Sequence, residues 1–248
     1  MRLIKVVRFR FRYLALASLV VWLAFGSWKV VAGEIDRRSV EALSTVLAGK
    51  VIVIDPGHGG IDAGSKSASG TQEKDITLEV SKRLAAMLGQ AGAVVLLTRE
   101  SDTWLADPDA SHKKRSDLTN RVEIANRNNA DVFLSIHVNS FGLRSERGAQ
   151  TFSQPGNDEG KKLSRSIQSE LIRVLGNTNR APKEIDYFIR RSRVPAVIVE
   201  IGFLSNPSEE KLLLDSAYQS KVSFAIYSGL VKYFVEKESG ANEIKNNS

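Results

Sequence analysis

The chain has 248 residues, is 42% hydrophobic and contains no cysteine. That is enough apolar material for a full core, and it excludes disulfides, thiolate zinc sites and a cysteine nucleophile. Of the net charge of +7, Arg2, Lys5, Arg8, Arg10 and Arg12 supply five, and the +2 left for the rest is too little for a nucleic-acid-binding face.

Those five cations precede Tyr13 to Trp28 (YLALASLVVWLAFGSW), an uncharged run followed by Lys29 and the small-residue stretch Val30-Val31-Ala32. A basic start, an apolar middle and a V-x-A end have the form of an export signal. Extended through Val31, the run is also just long enough to serve as a membrane anchor with its basic end inside. Residues 1–32 are therefore expected to be a signal peptide or membrane anchor. Either one places the rest of the chain outside the cytoplasmic membrane. Residues 33–50 follow as a connector, helical around Val40–Leu47.

From Val51 to about Glu236 strands and helices alternate. Strands are expected at 51–55, 93–98, 132–138, 149–153, 186–190 and 196–201. Helices are expected at 75–89, 117–128, 158–175, 207–214 and 216–236. The first helix carries Ile76, Val80, Leu84, Met87 and Leu88 at helical spacing and is closed by Gly89 and Gly92. The 158–175 helix repeats the stripe with Leu163, Ile167, Leu171 and Leu175. Asn206-Pro207-Ser208-Glu209 starts another helix, with an Asn cap, Pro at the first position and Glu reaching back. This alternation predicts a single α/β domain over 51–236, its sheet covered on both faces. Residues 237–248 read as a polar, disordered tail.

Three apolar strands end in chemistry-bearing residues. Val51–Ile54 runs into Asp55-Pro56-Gly57-His58, Val132–Ile136 into His137 and Asn139, and Ala196–Val199 into Glu200. In open α/β sheets ligands gather at the carboxyl ends of strands. Glu73 sits in the first turn of the first helix, where the dipole favours a carboxylate. His58, Glu73 and His137 then make a His₂Glu set of the kind that holds catalytic zinc, with water in the fourth position. Glu200, between Val199 and Ile201, is desolvated enough to have a raised pKa and to act as the proton-accepting acid.

The segments DPGHGGIDAG (55–64), EKD (73–75), TRESD (98–102), LTNRVEIAN (118–126), SIHVNS (135–140) and PAVIVEIGFLSNPSEE (195–210) together resemble the zinc-dependent N-acetylmuramoyl-L-alanine amidases of the amidase-3 family. The resemblance runs in order over nearly all of Val51 to Phe234. It implies a twisted, mainly parallel sheet of about six strands between helices, and hydrolysis of the amide joining the lactyl group of muramic acid to L-alanine. It puts the zinc ligands on His58, Glu73 and His137 and the catalytic glutamate on Glu200. A compact catalytic domain behind one hydrophobic segment is most similar to the germination-specific, spore-cortex amidases, which strip stem peptides for muramic δ-lactam formation. That implies peptidoglycan of the spore cortex as substrate, the membrane as a contact if the N-terminal segment stays uncleaved, and an accessory protein for targeting.

Arg190, Arg191 and Arg193 precede the Glu200 strand, and Arg190 and Arg191 are candidates for binding stem-peptide carboxylates. Asn139 is a candidate substrate contact. Arg121 and Asn126 read as structural hydrogen-bonding groups, Asp55 as a loop-bracing residue and His112 as a solvated surface histidine. Two rival functions stay open: a zinc peptidase or carboxypeptidase on the stem peptides, and a non-catalytic wall-binding module, which would have no need of Glu200. A phosphate cradle over Gly57–Gly64 is weaker, because it lacks the Gly-Lys-Ser/Thr step.

Overall fold

The computed structural model describes residues 13–23, 25–27 and 44–246. The chain divides into two compact units, Met1–Leu43 and Ser44–Ser248. In the first, residues 13–23 and 25–27 are helical, and Leu14, Leu16, Leu19, Val20, Val21, Trp22 and Leu23 expose their side chains. Among the described residues no helix is long and apolar enough to cross a membrane. The basic start of the expected signal segment, its Val30–Ala32 end and the connector up to residue 43 lie outside the described residues.

The second unit is built on one six-stranded sheet. Its strands are β1 (Val51–Pro56), β2 (Val94–Leu97), β3 (Val132–Asn139), β4 (Gln150–Ser153), β5 (Lys183–Glu184) and β6 (Ala196–Phe203), in the order β2-β1-β3-β6-β4-β5. The first four in that order are mutually parallel, and β4 joins β6 antiparallel. β1, β3 and β6 are apolar and buried over most of their length, as parallel strands covered on both faces must be.

The helices are α1 (Glu73–Gln90), α2 (Lys113–Arg127), α3 (Asp158–Leu175), α4 (Pro207–Leu214) and α5 (Ser216–Asn246). α5 packs against α1 and α3, and α1 and α3 both touch the sheet. On the other face, Val122 and Ala125 of α2 pack with Val53, Phe133 and Ile198. α1 buries Ile76, Val80, Leu84 and Leu88, the stripe seen in the sequence.

Three expectations need correction. No strand forms over 186–190: β5 is Lys183–Glu184, and Phe188–Arg191 is a 3₁₀ turn. The consecutive Phe188 and Ile189 enter the same apolar cluster, which strand alternation would not permit. The last helix does not stop at 236 but continues through Asn246, so most of the expected disordered tail is helical. The helix formers Glu, Lys and Ala there outweigh a single Gly240. Asn206 caps α4 by accepting from the N–H groups of Ser208 and Glu209, with Pro207 at the first position. Glu209, however, does not reach back to the cap. Its carboxylate accepts the N–H groups of Gly148 and Phe203, tying the loop before β4 to the end of β6.

Candidate metal centre and active site

His58 follows the end of β1 in a left-handed conformation, φ +63°, which costs a non-glycine residue about 1–2 kcal/mol. Two buried arginines hold it there. Arg121 donates to the carbonyls of Pro56 (2.8 Å) and His58 (2.6 Å). Arg99 donates to those of Pro56 and Gly57, each at 2.9 Å. Three consecutive carbonyls are thus gripped by fixed donors, and the loop has little freedom to relax.

Arg121 is itself clamped between Asp55 (2.8 Å) and Asp117 (2.7 Å). Asp55 also accepts from Thr98 and Ser135, each at 2.6 Å. Burial alone would raise the pKa of Asp55, but Arg121 and the two hydroxyls hold it below the usual carboxylate range. The expected bracing role of Asp55 and structural role of Arg121 are both met. Asn126 likewise braces, donating to the carbonyl of Arg191 and accepting the N–H of Arg193.

Glu73 opens α1 and is buried. Its Oε1 accepts the N–H of Val138 (2.9 Å) and lies 3.0 Å from His137 Nδ1 and 3.2 Å from His58 Nε2. Its Oε2 accepts the N–H of Ser65 at 2.8 Å. Burial opposes its ionisation, but the two imidazoles outweigh this and hold it ionised well below the usual range. The imidazole rings stand edge to face with centroids 4.9 Å apart. One donor atom from each of His58, Glu73 and His137 falls within 4.8 Å of the others.

Two nitrogens and a carboxylate oxygen converging in this way suit zinc. The surroundings leave no slack. A Cβ at Gly57 would lie 2.5 Å from the His137 ring, and one at Gly64 (φ +65°) 2.6 Å from Glu73 Oε2.

Glu200 is the register partner of His137 on the neighbouring strand, and both lie on the α2 face of the sheet. Its Oε2 is buried without a hydrogen-bond partner. Desolvation pushes its pKa up to about 7. These residues line a cleft of about 530 Å³, together with Asn139.

Arg190 and Arg191 do not line that cleft. Arg190 pairs with Asp186 and Arg191 donates to Thr119, and both line an adjoining cavity. His112 is exposed at the start of α2 and takes no part in the donor group. The sequence reading passed over Asp62, whose Oδ2 lies 2.9 Å from His58 Nδ1, close but without hydrogen-bond alignment. The available signal was a carboxylate four residues after a candidate ligand, since such ligands usually have the second ring nitrogen oriented. It also missed Arg99, which stands in the quoted TRESD segment.

The N-acetylmuramoyl-L-alanine amidase family, amidase-3, matches residues 52–232, a span that contains all four site residues. The chain belongs to this family. This amidase is 43% identical over 207 residues to the germination-specific N-acetylmuramoyl-L-alanine amidase of Bacillus subtilis, covering 82% of this chain and 87% of that one. It is similar in structure to the CwlD amidase of Clostridioides difficile, solved in complex with the GerS lipoprotein. The TM-score is 0.72 and the identity 41%, over 75% of this chain and 99% of that one. The catalytic domain of the amidase CwlV from Bacillus (Paenibacillus) polymyxa matches with a TM-score of 0.67 and 33% identity, over 74% and 97%.

Proposed function

We propose that this amidase cuts the amide between the lactyl group of N-acetylmuramic acid and L-alanine in peptidoglycan, using Zn²⁺ held by His58, Glu73 and His137. The observation that carries the reading is the placement of a buried, unpartnered Glu200 carboxylate on the strand rung next to a ligand histidine. Zinc would supply the Lewis acid for the scissile carbonyl and a lowered water pKa. Glu200 is the general base. With a pKa brought near neutrality by burial, its carboxylate takes up a proton and returns it to the leaving amine of L-alanine. Asp62 places a carboxylate 2.9 Å from the His58 ring nitrogen facing away from Glu73, where its negative charge supports that imidazole as a ligand. Asn139, on the cleft wall, holds the substrate.

The likeness to the germination-specific amidase of Bacillus subtilis supports a role in spore cortex maturation. The basic, then apolar N-terminal segment supports export, with the enzyme secreted or anchored facing the cortex. The relative solved with a lipoprotein supports an accessory protein.

The test is digestion of purified peptidoglycan by the zinc-loaded chain from about Glu34 onward, scored by new amino-terminal alanine. Glu200→Gln should keep its zinc and lose about a hundredfold or more in turnover. A peptidase would instead leave the muramoyl amide intact.

A further inference from the structure

We propose that the cavity adjoining the metal cleft is the stem-peptide subsite, and that Lys114 draws a free carboxylate of the peptide into it. The inference rests on the amidase reading and states where the leaving half of the substrate lies. The cavity, about 960 Å³, is bounded by the first turn of α2 and by residues 186–191, and it shares Lys114 and Tyr187 with the cleft. These two side chains therefore mark where the cleft meets the cavity.

The charge balance of the cavity points to an anion. Lys113, Lys114, Arg115, Arg190 and Arg191 line it against one acid, Asp186. Three of these cations are already engaged. Lys113 donates to the carbonyls of Asp107 and Pro108, Arg190 pairs with Asp186, and Arg191 donates to Thr119. Among the described residues, the side chains of Lys114 and Arg115 have no hydrogen-bond or ion-pair partner, and Lys114 acts on Asp62 only through its charge. Lys114 is the one lysine or arginine lining the cleft, whose other side chains there include the acids Asp62, Glu73 and Glu200, so it is the cleft's cationic exit towards the cavity. Of the two halves of the substrate, the sugar presents hydroxyl and acetamido groups while the stem peptide carries free carboxylates. A cationic wall therefore selects the peptide half.

The experiment compares the zinc-loaded full chain and its Lys114→Ala variant on a defined muramoyl peptide with stem carboxylates either free or converted to amides. The wild type should prefer the free acid by about five- to tenfold in kcat/KM, a preference that added salt erodes. Lys114→Ala should lose that preference with little change on the amidated substrate. A parallel titration of the zinc-free protein with the free stem peptide should show the same loss of affinity in the variant.

Equal cleavage of both substrates by the wild type, or equal losses on both in the variant, overturns the subsite. If the wild type cleaves neither, it is the amidase reading that fails. The peptide titration then decides the subsite independently.

Discussion

Arg121 and Arg190 stand on the same side of the sheet and do opposite jobs. Arg121 is buried and hydrogen-bonds at all three nitrogens, to two carboxylates and two carbonyls. Arg190 is exposed and makes one surface pairing with Asp186. The floor of the cleft is over-determined, so the donor geometry cannot drift. The wall of the adjoining cavity is charged, and Arg190 on it is exposed and held by a single surface pair. Multiple buried hydrogen bonds are concentrated behind the donor residues, and exposed charge lines the neighbouring cavity.

The comparison can be broken from the floor outward. His137→Ala should abolish zinc binding, which elemental analysis of the purified protein would show. Arg121→Met should cost about 3–5 kcal/mol in a denaturant titration, because it strands Asp55 and Asp117 as buried carboxylates.

Glu200 tests the floor through pH. Its pKa is raised from 4.5 to about 7 by burial, so its ionisation is a penalty, absent below 4.5 and complete above 7. Zinc-free Glu200→Gln should therefore gain stability over the wild type as pH rises through that window, on the order of 2–3 kcal/mol. Bound zinc should shrink the gain by favouring the ionised form. Gly64→Ala should cost about 1–2 kcal/mol and weaken zinc affinity, since it combines a left-handed φ with a Cβ pressed on Glu73. Arg190→Ala should change stability by less than about 0.5 kcal/mol. A large effect there would mean that the wall is part of the frame.

The strand ends were legible in the sequence because short apolar runs stop abruptly at polar residues, and period-two alternation sets the side each one faces. That logic brought His58 and His137 to one edge, and helix-terminus chemistry brought Glu73 to meet them. The grip of Arg99 and Arg121 on the His58 loop was not legible. Contacts from a side chain to a distant backbone carbonyl leave no periodic trace. The turn at Phe188–Arg191 was misread as a strand because an apolar pair flanked by polar residues looks the same in both. Arg190 and Arg191, expected as contacts for stem-peptide carboxylates, line the adjoining cavity and not the metal cleft.

The order of the sheet has a consequence for how the site is put together. All three donor residues lie within His58–His137: just after β1, at the start of α1 and on β3. Glu200 arrives only with β6, which pairs to the free edge of β3. In chain order, the three candidate donor residues therefore come well ahead of Glu200. The chemistry proposed for the site therefore depends on β6 being docked against β3, since that pairing sets Glu200 beside His137.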